Sequence, residues 1–442
     1  MTPILIQNAI TNFVSLLDNI MVGQVGTEQM SGVAIVNQLI FVFNLCIFGG
    51  LAGSGILTAQ FYGKRDTEGV RNTFRVKLYI AIVSLLIFTG IFLSSGDQLI
   101  GLFLHEGEGN LDLAATLVYG KGYLNIMLLQ LLPFAITQLY ASTLKEIGQT
   151  RLPMTAGVAA VFVNLVFNYI FIFGKFGFPA MGVAGAAIAT VIARFVECAI
   201  VALWTHRHKN ENEFIVGVYS TLKVPKHLAK QIAVLGMPLL VNELLWSGGM
   251  ATLNQCYSMR GLEVVSAVNI SSTVSNLFFC VFLAIGNSVA IIVGQLLGAG
   301  EIERAIDEDR KIIVFAVTSC ILVGIIMAIF APLIPQIYNT TETVKSIAVK
   351  LLLVSAVTIP FQAFTNCCYF TLRSGGKTII TFLFDSAFLW VIGIPTAFVI
   401  SRYTGIGIIP MFIIIQSLDL LKCILGFILV KKKTWVSNLV SE

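Results

Sequence analysis

Long apolar stretches separated by short polar breaks dominate this chain. Twelve of them reach the roughly 20 mostly apolar residues that a helix needs to cross a bilayer. They cover 3–23, 33–62, 76–95, 114–143, 153–174, 181–205, 231–257, 266–297, 311–335, 345–372, 378–401 and 406–430. Several exceed the minimum, which predicts tilted or kinked helices rather than a thicker membrane. Pro133 and Pro360 fall inside the fourth and tenth runs, where a missing N–H bends a helix. The pattern predicts an all-α integral membrane protein with 12 transmembrane helices in two pseudo-symmetric six-helix lobes. Its expected parts are an N-lobe over 1–205, a linker over 206–230 and a C-lobe over 231–442.

The two halves repeat. At an offset of 235, Pro3 matches Pro238, Leu5 matches Leu240, Asn19 matches Asn254, Gly26 matches Gly261 and Glu28 matches Glu263. In the same register Ser31 matches Ser266, Ile35 matches Ile270, Gln60 matches Gln295 and Gly63 matches Gly298. A second block, at offset 228, aligns Leu144, Gly148 and Thr150 with Leu372, Gly376 and Thr378, and Lys145 with Arg373. Six helices separate equivalent points, so both halves start on the same face as parallel repeats about an axis along the membrane normal. Paired lobes of this kind enclose a cavity that rocking opens to alternate sides, which is the architecture of a transporter.

Charge adds orientation. Only 12% of the chain is charged and 57% is hydrophobic, against about 25% charged in a soluble domain. The net charge of +5 therefore belongs to loops and implies no nucleic-acid partner. Lys64, Arg65, Arg71, Arg75 and Lys77 follow the second run; Arg207, Lys209, Lys223, Lys226 and Lys230 fill the central stretch. Lys431, Lys432 and Lys433 follow the last run, whereas 23–32 and 94–116 contain neither Lys nor Arg. The positive-inside rule puts both termini and the linker in the cytoplasm of a cell-membrane protein. The first run has no basic leader and contains Asp18, so no secretory signal is read; Thr2 and Pro3 stand almost at its start, which predicts a late start or a truncated chain. The eight cysteines lie in apolar runs without a CxxC pair, as buried small side chains do.

No catalytic constellation is found, neither HExxH, GxSxG nor a Walker loop, so the chain is not read as an enzyme and no cofactor is expected. Candidate chemistry rests on polar residues at membrane depth, each of which is expensive there. Asp18 is one, and its repeat partner is Leu253, so the acid exists in one half only. It reads as a cation or proton site, or as an acid near a helix end. Asn164 and Asn168, at i and i+4, share one helix face. Two amide oxygens beside a carboxylate suit a hard cation such as Na+, and they equally suit hydrogen bonds between helices. Thr190 lies in the small-residue run Gly185–Thr190 and can serve as a ligand or bond its own helix. Glu243, with Asn242 and Trp246, is a candidate drug-binding or proton-linked acid. Arg194 and Glu197 are spaced to pair with each other, as are Asp419 and Lys422, and Asp385 is deep enough to note. The glycines at 49, 50, 53 and 55 read as helix packing.

Taken in order, these residues resemble the multidrug and toxic compound extrusion family over essentially the whole chain. The resemblance rests on Pro3, Asp18, Gly23, Gly26, Gln60 and Gly63. It continues through Asn164 to Tyr169, then Phe173, Gly174, Gly177, Gly182 and the Gly185–Thr190 run. It implies export of organic cations or other amphiphiles in exchange for Na+ or H+. The family's N-lobe cation site carries over to Asp18, Asn164, Asn168 and Thr190, with Asp18, Asn164 and Asn168 as Na+ ligands. Some members have an acid where Asn168 stands. Members with a C-lobe site use an acid one turn beyond Glu243, at the position of Trp246, and a second acid that is replaced here by polar residues around Gln362 and Asn366. The expected partners are a small cationic or amphiphilic molecule and the lipid bilayer, and a monomer is expected. A flippase for a lipid-linked metabolite and an uncoupled channel or receptor are the alternative readings.

Overall fold

The computed structural model describes Met21, Val25 and residues 27–103, 113–338 and 340–441. Apart from Met21, the first apolar run, with Asp18, lies outside the described residues. The other runs form helices α1 (Thr27–Gly63), α2 (Thr67–Gly101), α3 (Leu113–Glu146), α4 (Arg151–Phe173), α5 (Val183–Arg207), α6 (Lys226–Ser258), α7 (Leu262–Gly298), α8 (Ile302–Phe330) and α9 (Glu342–Ser374). They are followed by α10 (Thr378–Tyr403) and α11 (Ile408–Lys431). Among the described residues there is no strand, and 10 helices are long and apolar enough to cross a membrane.

Several helices outrun their apolar stretches. α2 starts at Thr67, nine residues before the apolar run. Its polar first turns satisfy themselves: Glu68 pairs with Arg71 at 3.0 Å and Arg75 at 2.9 Å, and Asn72 accepts from Arg75 at 2.7 Å. Arg71, Arg75 and Lys77 are therefore helical, not loop, residues. α3 and α9 run through Pro133 and Pro360 without ending, and α6 through Pro238.

The described chain divides into two compact units. The first holds residues up to Thr58 and Thr67–Gln231. Here α3 packs on α2 and α5, and α4 on α5, around a core that includes Phe43, Ile47, Ile100, Leu131, Phe134 and Ala187. α1 and α3 touch backbone to backbone at Gly32, where a Cβ would stand 2.9 Å from both Thr116 O and Gly120 N. Lys77 is fully buried and ion-paired with Glu146, with Ser142 Oγ and Thr143 Oγ1 accepting from it at 3.2 and 3.1 Å.

The polar stretch after α5 folds onto this unit. Glu213–Ile215 form a 3-10 turn, and Phe214, Ile215 and Val218 are buried. Phe214 packs 5.6 Å from Phe74 between ring centres. Val218 O accepts from Arg75 Nε at 2.9 Å, and Leu222 O accepts from the Tyr79 hydroxyl at 2.7 Å.

The second unit holds Ala59–Asp66 and everything from Ile232. Its centre is α9, which packs on α7, α8 and α11. Thr341 caps α9, its hydroxyl accepting from Val344 N at 3.3 Å. Asp309 is 1% exposed and accepts from Thr371 Oγ1 at 2.5 Å. Thr143 and Thr371 are equivalent at the offset of 228, so the repeat keeps the hydroxyl and reverses the charge that it meets.

Ala59–Asp66, the end of α1, is fastened by residues from far along the chain. Gln60 Nε2 donates to Ser374 O at 3.0 Å and Ser437 O at 3.2 Å, and its Oε1 accepts from Leu439 N at 2.7 Å. Lys64 donates to Val440 O, and Trp435 is 1% exposed. The repeat partners meet here: Gly63 abuts the Gln295 carbonyl and Gly298 abuts the Gln60 carbonyl.

Candidate functional site

In the first unit, the small-residue face of α5 sets the geometry. Gly185 lies against the backbone of Phe171 in α4, where a Cβ would come within 2.7 Å of its carbonyl oxygen. Ala186, Ala187 and Ala189 are buried along with it. With no bulk between the two helices, short side chains span the gap. Asn164 Nδ2 donates to Thr190 Oγ1 at 3.2 Å, and Asn168 Nδ2 donates to Asn164 Oδ1 at 3.1 Å. Thr190 Oγ1 in turn donates to Ala186 O at 3.0 Å. Asn164 and Asn168 are 8% and 1% exposed. Three of the four expected coupling residues thus form one buried polar chain, and Asp18 lies outside the described residues. Deeper polar groups nearby are satisfied as the spacing predicts: Arg194 pairs with Glu197 at 2.8 Å and stands 5.3 Å over the Phe134 ring.

The cluster can work in two ways. The hydrogen bonds that link Asn164, Asn168 and Thr190 are neutral ones between or within helices. A hard cation needs oxygens, and Asn164 Oδ1 already accepts from Asn168. Freeing that oxygen for an ion takes rotation of one amide.

In the second unit, α6, α7, α9, α10 and α11 enclose a cavity of about 500 Å³. Glu243, Trp246, Gln362 and Asn366 all line it, so the structure gathers the residues that the sequence suggested separately. Gln362 Nε2 donates to Gln416 Oε1 at 3.2 Å, while Asn366 Oδ1 is buried and finds no donor among the described residues. The cavity also holds charges whose arrangement the spacing misjudged. Lys422 makes its ion pair with Asp385 of α10, at 3.2 Å, and not with Asp419 one turn away. Asp385 lies in α10, which is π-helical over Leu383–Ala387 and again over Leu389–Gly393. Wider turns of this kind recur at functional sites. Here Asp385 sits in the first of them, and Asn242 Nδ2 donates to its second oxygen at 3.2 Å. Asn242 also anchors α10 by accepting from Ser386 N at 3.2 Å. Arg373, which joins the wall, was marked in the sequence only by its repeat match to Lys145. Nothing in the sequence marked the π-helical turns.

Two all-helical units, one with a buried polar cluster and one with a charged cavity, define a multi-pass membrane protein of transporter construction. The family described as MatE matches residues 3–170 and 238–399. The chain belongs to this family, the multidrug and toxic compound extrusion transporters. It is 26% identical to a probable multidrug resistance protein NorM of Thermotoga maritima, over 93% of this chain and 86% of that one. It is 23% identical to a probable multidrug resistance protein, YoeA, of Bacillus subtilis, over 93% and 88%. Among solved structures, the Vibrio cholerae MATE transporter VcmN, in a mutant form, superposes with a TM-score of 0.87 at 20% identity, covering 99% of this chain and 96% of that one. A MOP superfamily transporter from Pyrococcus furiosus gives 0.87 at 19% identity, covering 98% and 94%.

Proposed function

We propose that the protein is a secondary antiporter that exports organic cations, drugs or related amphiphiles across the cell membrane in exchange for Na+ or H+. The observation that carries this reading is the convergence of Asn164, Asn168 and Thr190 into one buried cluster. The family membership and the multidrug resistance relatives support it. Asp18, an acid in the first apolar run, completes the reading. It takes a proton from outside, or binds Na+ together with the two asparagines and the threonine. Either event neutralises it, shifts the first apolar run and favours release of the substrate. The driving force is the difference in affinity between the two facing states. The protein acts as a monomer; both its termini lie in the cytoplasm, as the distribution of Lys and Arg supports.

The test uses the full chain in proteoliposomes, a fluorescent organic cation, and imposed Na+ or proton gradients. The wild type accumulates the dye against its gradient under one of the two. Asp18→Asn reconstitutes equally well and accumulates none. Undiminished accumulation by that variant overturns the reading.

A further inference from the structure

The segment after α11 is built in two parts, a fixed pivot and an arm. The chain leaves α11 at Lys431 and turns back through Lys433, whose φ of 53° lies in the left-handed region that residues other than glycine seldom adopt. Trp435 holds this turn. It is 1% exposed, its Nε1 donates to Val430 O at 3.2 Å, and a Cβ on Gly375 would collide with its carbonyl. The seat is the glycine pair that follows α9, since Leu439 lies against the second of them, Gly376.

The arm, residues 437–440, is held differently. Three of its bonds run from its own backbone to two side chains at the end of α1. Gln60, in the last turn, takes Ser437 O and Leu439 N; Lys64, just beyond, takes Val440 O. A fourth runs from the Asn438 amide to Gly298 O at 3.4 Å. The helix that the arm grips is itself divided. α1 belongs to the first unit as far as Thr58 and to the second from Ala59.

We propose that residues 437–440 are a latch that turns on Trp435 and lifts off Gln60 and Lys64 in every transport cycle. This rests on the export reading above, in which one unit moves against the other. α1 is shared by both units and cannot follow both. With the arm down, its tip moves with the second unit and the helix must yield near Thr58. With the arm up, the tip is free to follow the rest of its own helix.

Two physical points favour a latch over a permanent brace. The three bonds to α1 use only backbone groups of the arm, and water replaces each of them when the arm lifts, so opening costs little beyond uncovering Leu439 and Val440. Gln60 keeps Ser374 O at 3.0 Å, so its amide is not stranded without a partner. Segments that open on such terms belong to the low end of local stability, from which moving parts are drawn.

The test uses the full chain in proteoliposomes, with a fluorescent organic cation and the gradient that drives its accumulation. Lys64→Cys is combined with Ser441→Cys, an exposed position directly after Val440. A bis-methanethiosulfonate whose spacer matches the reach of lysine ties the arm down, and dithiothreitol releases it. The tied protein is expected to accumulate dye at least about tenfold more slowly, because a step that must open is blocked. The reductant restores the rate. Each single variant given the same reagent controls for the native thiols and stays unaffected. Accumulation by the tied protein at the untied rate overturns the proposal.

A second measurement needs no cross-link. Val440 is 3% exposed, so the thiol of Val440→Cys is covered while the arm is down. Its labelling by a membrane-permeant maleimide, read by mass spectrometry of the C-terminal peptide, should run at least about fivefold faster during transport than with dye or gradient alone. Equal rates overturn the proposal, whether or not the double-cysteine variant folds. Dye accumulation by the wild type together with either negative result leaves export standing and removes the latch. A wild type that accumulates dye under neither gradient removes both.

Discussion

Gly63 lies so close to Gln295 that a Cβ on it would collide with the Gln295 carbonyl. The same holds for Gly298 against Gln60, and the two contacts are equivalent under the offset of 235. Backbone cannot yield as a flexible side chain can. Gly63→Ala and Gly298→Ala should therefore each cost about 1–3 kcal/mol, the usual price of overpacking. The measurement is thermal unfolding in detergent, where Gly300→Ala, whose site is spatially open, separates loss of close approach from backbone strain.

Lys77 and Glu146 give a sharper stability test. Lys77 is 0% exposed and Glu146 15%. Removing either partner breaks a buried ion pair, which costs about 3–5 kcal/mol. Lys77→Met and Glu146→Gln should each lower the unfolding temperature strongly. The double variant should recover most of the loss. Additive losses would mean that the two side chains act separately.

Thr190 separates helix packing from ion binding in the first unit. Thr190→Val keeps the shape and removes the oxygen that receives Asn164. If Thr190 is an ion ligand, ion-driven dye accumulation should fall at least about fivefold, the effect of losing roughly one kcal/mol of binding. The unfolding temperature should stay near that of the wild type. A fall in stability with unchanged transport would assign Thr190 to packing alone.

Tyr219 gives the docked polar stretch after α5 a pH limit. Burial pushes its phenol above the ordinary value of about 10, and the hydrogen bond with Tyr140 partly opposes this. The folded form thus holds the proton more tightly than the unfolded form does. Docking is unaffected below about pH 10 and weakens as pH rises beyond that value. Limited trypsin cleavage at Lys223, taken relative to cleavage of an unstructured peptide at the same pH, should be slow and constant up to that point, then accelerate. Tyr219→Phe has no proton to lose and should remove this tyrosine-linked part of the acceleration.

The fold was legible because the bilayer leaves few choices: a span must be helical and apolar for about 20 residues. The pattern therefore located the helices but not their ends, since the start of α2 hides behind its own ion pairs. The i, i+4 spacing of Asn164 and Asn168 and the small residues of α5 foretold the polar cluster. The Asp385–Lys422 pair was not legible. Spacing along α11 favoured Asp419 as the partner, whereas Asp385 stands in a π-helical turn of α10 and is hydrogen-bonded by Asn242 from α6. Sequence separation conceals such contacts: Lys422 and Asp385 are 37 residues apart, Asn242 and Asp385 143.

The fastening of Ala59–Asp66 bears on how the protein is made. Gln60 is synthesised early, yet two of its acceptors lie 314 and 377 residues downstream. A ribosome delivers those residues only after nearly all the later helices have entered the membrane. The second unit therefore cannot close cotranslationally, and its last step joins an early segment to a late one. A nascent chain stalled before residue 435 should hold an inserted but unlocked protein, in which Gln60 lacks its bonds to Ser437 and Leu439.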